Sequence, residues 1–95
     1  MIVRIVKLTL KTDYMDAFIR HFETVRDSIH ASRGCRYLEL LQETNLSGVL
    51  FTLSHWESEA DLRGYLESEL FLSIWKQVKP MFAAKAEAWS LNHAG

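Results

Sequence analysis

Tyr65, Phe71 and Trp75 are the residues of this chain best suited to hold a small molecule. They fall on one helical stretch that is interrupted near Ser68. An interruption of that kind opens space between a helix and a sheet, where pockets form. The Tyr65 phenol could donate to a carbonyl or phenolate oxygen. Trp75 offers an indole N–H and a flat face for a planar ligand. At this spacing the three aromatics could equally be plain core residues. Arg4 is a further candidate, because it sits among apolar neighbours in the first strand. Alternation groups it with Val6, Leu8 and Leu10. A buried arginine needs a carboxylate, and Glu39 in the second strand could supply it. The other reading makes Arg4 the anion-binding group for a ligand carboxylate or enolate.

The histidines invite acid–base or metal chemistry. His21 lies at the edge of a helical apolar stripe, about 60° from its centre. There it could act as a general base, or simply flank the core. His55, late in the third strand, is a second histidine that could help hold a substrate. His21 and His30 are nine residues apart on one helix and point to opposite sides, so they cannot share an ion. His93 lies in the C-terminal tail, and His55 has no Cys, His or Asp at ligand spacing. No zinc-type motif is present, and no metal is expected. The four glycines make neither a dinucleotide nor a phosphate-binding loop. Neither a nucleophile elbow nor a Cys–His motif occurs. No bound flavin, nicotinamide or other cofactor is indicated.

The elements that must position these residues read clearly from the pattern. Met1 to Lys11 forms a strand with apolar and β-branched residues on both faces. Thr12 and Asp13 then offer helix caps. Tyr14, Phe18, Phe22, Val25 and Ile29 make one apolar stripe, which ends at Gly34. Cys35 to Thr44 is the second strand, Asn45 to Gly48 a hairpin turn, and Val49 to Trp56 the third strand. Ser58 with Asp61 resembles a capping box, and Ser68 with Glu69 a second cap, so the following helical segment breaks and restarts. Pro80 ends it. Ala86 to Asn92 is the last strand, with Trp89 and Leu91 on one side and Ala88 and Ser90 on the other.

The order β-α-β-β-α-β predicts a ferredoxin-like α+β fold, a four-stranded antiparallel sheet with both helices on one face. The other face carries strand apolar residues that the chain cannot cover, Val49 to Trp56 above all. A second copy is the simplest cover, so a homodimer through the open sheet face is expected. The 95 residues make a single domain spanning 1–95. The net charge of −1 provides no field to attract nucleic acid or acidic lipid. No run reaches the ~20 apolar residues of a membrane span. No secretory leader is visible, so a cytoplasmic location is the expectation. The lone Cys35 cannot form an internal disulfide and reads as a small buried residue.

The opening Ile2-Val3-Arg4-Ile5-Val6-Lys7-Leu8, the Gly34-Cys35 step, the run into Trp56-Glu57-Ser58-Glu59, and Tyr65-Leu66-Glu67-Ser68-Glu69-Leu70-Phe71 together resemble the antibiotic biosynthesis monooxygenase family of dimeric α/β barrels. The resemblance spans nearly the whole chain. It implies a monooxygenase that works without metal or flavin on a small aromatic or quinol-type metabolite. Related domains include haem-degrading enzymes, which use an Asn in strand one, a Trp in helix two and, ten residues later, an iron-ligating His. Val6, Tyr65 and Trp75 stand at the matching places here, and haem degradation is disfavoured. Many members also carry His where this chain has Tyr65 and Glu where it has Ser54. Those departures support an alternative, a non-catalytic dimeric small-molecule binder of the same fold. A third reading is an interaction module whose interior is filled by its own aromatics.

Overall fold

A computed structural model of the chain describes residues 1–45 and 47–95. Its elements run β1 (Ile2–Thr9), α1 (Met15–His30), β2 (Cys35–Gln42), β3 (Val49–Trp56), α2 (Glu59–Leu66), α3 (Glu69–Val78) and β4 (Glu87–Leu91). The four strands form one antiparallel sheet in the order β2-β3-β1-β4. This is the ferredoxin-like α+β arrangement, with its second crossover helix split in two. Leu46, in the expected Asn45–Gly48 turn, lies outside the described residues.

The split comes from local chemistry. Ser58 Oγ accepts from the Asp61 backbone N–H at 3.1 Å and starts α2. Its hydroxyl in turn donates to the Asp61 carboxylate. Ser68 Oγ accepts from the Phe71 N–H at 3.1 Å and starts α3. The Ser68 hydroxyl also donates to the Tyr65 carbonyl, so one residue closes α2 and opens α3.

Two expected boundaries of α1 are corrected. Thr12 and Asp13 do not cap it; they lie in a 3-10 turn entered from Lys11, and no side chain caps the helix at Tyr14. The cause is tertiary. Leu10 N–H donates to the Gly48 carbonyl and Lys11 N–H to the Met81 carbonyl, which holds the chain extended through Lys11 and forces a tight first turn. At the other end the helix stops at His30, short of Gly34. Gly34 instead makes the turn into β2 at φ +82°. The strands also end earlier than predicted, β1 at Thr9 with an isolated bridge from Leu10 to Phe82, and β2 at Gln42.

Alternation along β1 sends Arg4, Val6 and Leu8 to the helix side and Val3, Ile5 and Lys7 to the open side. On the helix side two buried clusters form. Leu8, Leu10 and Leu50 pack with Phe18, Phe22 and Val78 at one end of the sheet. Cys35, Trp56 and Leu62 pack at the other. The open side carries Leu41, Trp89, Leu91 and Tyr37, all 40–45% exposed, beside the partly buried Ile5, Phe51 and Leu53. Every residue of β4 is exposed.

Gly34 is where the turn has no substitute. Its φ is left-handed, and a Cβ there would meet the Asp61 carboxylate. Gly34→Ala should lower stability by about 2 kcal/mol, from left-handed strain plus displacement of Asp61. Urea unfolding of the two proteins measures it.

Candidate functional site

The two buried clusters do not meet, and between them lies a cavity of about 290 Å³. The sheet supplies its floor through Arg4, Val6, Leu8, Leu38, Thr52, Ser54 and Ala88. The helices supply its roof through Phe18 and Phe22 of α1, Tyr65 and Leu66 of α2, and Phe71, Ile74 and Trp75 of α3. The α2–α3 break lets the two helices line it with different faces.

One wall is a continuous aromatic ladder. Trp56 stacks on Tyr65 with ring centroids 5.0 Å apart, and Tyr65 meets Phe71 edge-on at 5.2 Å. Phe71 stacks on Trp75 at 5.9 Å, and Trp75 meets Phe82 edge-on at 5.3 Å. These separations lie in the attractive range for aromatic pairs. The ladder offers flat apolar surface along the cavity.

The polar groups gather toward the Trp56 end. Cross-strand register sets Arg4 between Ser54 of β3 and Ser90 of β4. Arg4 Nη1 donates to Ser90 Oγ at 3.0 Å. Its Nε is buried and has no partner among the described residues. Burial pushes the guanidinium pKa down from its ordinary value. The Trp56 indole N–H donates to Ser54 Oγ at 3.0 Å, which leaves the Ser54 hydroxyl hydrogen available. Burial, reinforced by the nearby Cys35, pushes the Tyr65 phenol up to about 12. Tyr65 is thus a donor, and not a base, at neutral pH.

Glu39 is not the partner of Arg4. The β2–β3 register shifts between Cys35 and Tyr37. An irregularity of this kind inverts the alternation beyond it. Leu38 and Leu40 consequently face the helices, while Glu39 pairs with Leu53 on the open side. The histidine candidates are also placed elsewhere. His55 pairs with Val3 and Tyr37 on the open side, its ring 5.2 Å from that of Tyr37. His21 belongs to α1 and is absent from the cavity lining, with Nε2 buried and unpartnered among the described residues. The structure thus brings together Arg4, Tyr65, Phe71 and Trp75 and leaves out His21 and His55. Sequence reasoning did not name Thr52 and Lys85 as lining residues, and Ser54 entered only as a departure from a family pattern. Pairing Arg4 across the β1–β3 register would have found Ser54.

Among the lining residues the ionisable side chains are Arg4, Tyr65 and Lys85, with no carboxylate or imidazole. No cluster of three metal-ligating side chains occurs among the described residues. Val6, Tyr65 and Trp75, at the places where the haem-degrading relatives have Asn, Trp and His, all line the cavity, and none offers an imidazole to iron. Among the described residues no helix is long and apolar enough to cross a membrane.

The fold and cavity define an α+β domain of the ferredoxin-like class with an apolar pocket between helices and sheet. The sequence profile described as "Antibiotic biosynthesis monooxygenase" matches residues 1–77, and the chain belongs to that family. No curated protein matches the chain. Among solved structures it is similar to a candidate antibiotic biosynthesis monooxygenase from Nitrosomonas europaea, with 18% identity, TM-score 0.91 and 100% coverage of both chains. A second candidate member, from Caulobacter crescentus, shows 17% identity and TM-score 0.90 over 99% of this chain and 90% of that one. A third, from Bordetella bronchiseptica, shows 17% identity and TM-score 0.88 over 98% and 96%. At these identities the likeness establishes the fold.

Tyr65 makes stability depend on alkaline pH. Its folded pKa of about 12 exceeds the ordinary 10.0, so folding favours the protonated phenol. The contribution is complete below pH 10 and is lost as pH rises toward 12, about 2–3 kcal/mol in all. Tyr65→Phe should fall less steeply in stability over that window than the parent. Tyrosinate absorbance should also lose its last-ionising phenol.

Proposed function

We propose that the chain is a cofactor-independent monooxygenase acting on a small aromatic or quinol-type metabolite. The observation that carries this reading is the cavity walled by the Tyr65–Phe71–Trp75 ladder. Its shape suits a flat ring, and family membership supplies the reaction class. Oxygen chemistry without a cofactor requires an electron-rich substrate. A phenolate meets that need by giving an electron to O2, after which the ring carbon and superoxide combine. Loss of water then leaves a quinone. One oxygen atom stays on the ring, the other departs as water with two substrate hydrogens, and O2 takes up all four electrons. Tyr65, protonated at neutral pH, donates to the substrate oxygen, while Phe71 and Trp75 orient the ring and exclude water. No carboxylate or imidazole lines the cavity to take the proton, so the substrate arrives ionised or loses its proton to solvent. The rate should therefore follow the substrate's own pKa.

Two copies are proposed to meet through the open sheet face. Leu41, Trp89 and Leu91 offer a large exposed apolar area there, with the Lys7–Glu87 pair at 3.9 Å on the same side. With Cys35 as its one thiol, the chain suits a reducing compartment, and a cytoplasmic location is proposed.

The lack of a carboxylate or imidazole in the lining favours a second reading, a dimeric binder that returns its ligand unchanged. A panel of phenols and hydroquinones under labelled O2 separates the two. Uptake above the buffer rate, with one labelled atom in the quinone, is expected. Trp75→Ala should lower kcat/KM about tenfold or more by loosening the ring. Binding without uptake would leave only the binder. Light scattering should give a two-subunit mass for the parent, and Trp89→Lys with Leu91→Lys should give single subunits.

A further inference from the structure

The Trp56 end of the cavity presents donors and no acceptor carboxylate. A cation set into an apolar cavity costs folding energy unless something pairs with it. Arg4 is a half-buried cation at that end, with its Nε shielded from solvent. Ser90 takes one of its five N–H groups, Nε stays buried and unpartnered, and Glu39 faces the opposite side of the sheet. Ser54 lies directly across β3 from Arg4 with its hydroxyl hydrogen uncommitted. Tyr65 stacks on Trp56 beside them with its proton retained. Lys85, the other lining cation, is exposed and precedes Ala86 and β4. Glu87 pairs with Lys7, so Lys85 lies beyond the paired stretch toward Thr9, about 17 Å along the sheet from Arg4.

We infer that this end is an oxyanion site: it takes the ionised oxygen of a planar aromatic ligand, a phenolate or a carboxylate, on the Arg4 guanidinium with Ser54 and Tyr65 as further donors. The apolar body of the ligand then lies along Phe71 and Trp75. A charge-assisted bond to a guanidinium is about twice as strong as a neutral one. The site rests on the cavity reading above but does not need turnover.

The test is binding by isothermal titration at neutral pH of three probes: 2-naphthoate, its neutral isostere 2-naphthamide, and 2,4-dinitrophenolate. The parent should bind at least one anion tenfold or more tighter than the amide, and the preferred anion identifies carboxylate or phenolate. Arg4→Met keeps the apolar stem and removes an unpaired charge, so it should fold. It should bind the amide as the parent does and lose the preference for the anion. Ser90→Ala, which frees Nη1, should keep the preference. Equal affinity of the parent for anions and amide overturns the oxyanion site while leaving the cavity reading in place. Binding of none of the three overturns both. An anion preference that survives in Arg4→Met also overturns the assignment.

Discussion

A one-residue irregularity in β2 governs the electrostatics of the interior. Between Cys35 and Tyr37 the pairing with β3 shifts, and the faces of β2 exchange. Before the shift, Cys35 packs under Trp56 in the core. Beyond it, Leu38 and Leu40 face inward and Glu39 outward. Had the alternation continued unbroken from Cys35, a carboxylate two strands from Arg4 would face the cavity. The bulge instead leaves the half-buried Arg4 between two serines, Ser54 and Ser90, at the end of the cavity that Tyr65 also lines. Bulges recur beside functional sites because they re-aim side chains in this way.

The break between α2 and α3 acts together with the bulge. The break sets Tyr65 and Leu66 of α2 and Phe71, Ile74 and Trp75 of α3 on separate helices, and all five line the cavity. Ser68 caps the second helix and binds the last turn of the first, so each half turns its own aromatics inward. The cavity is therefore framed by backbone geometry as well as by side-chain size, and its aromatic wall is fixed by ring-on-ring contact from Trp56 to Phe82.

Much of this was legible from residue types because it is local. The β3 boundaries, both serine caps and the helical interruption follow from short-range chemistry and match the structure. The tie of Lys11 to Met81 is long-range, and it displaced the expected cap of α1. The β2 irregularity has no signature in Arg36 or its neighbours, so nothing in the sequence showed that Glu39, offered as the partner of Arg4, faces away from it. Histidines attract attention as acid–base residues, but His55 follows the parity of β3 outward, and that parity could have been read from Trp56 and Ser54. The aromatic candidates of α2 and α3 do face the cavity, since helical spacing and the break both point them there.

β4 joins the interior to the exterior. Its Ser90 steadies Arg4 and its Ala88 borders the cavity, while Trp89 and Leu91 stand bare on the far side of the same five residues. The strand is held along one flank only, by β1. A load placed on Trp89 and Leu91 would fall on the same backbone that carries Ser90 and Ala88. The cavity border and the bare outer patch are thus two faces of one five-residue edge strand.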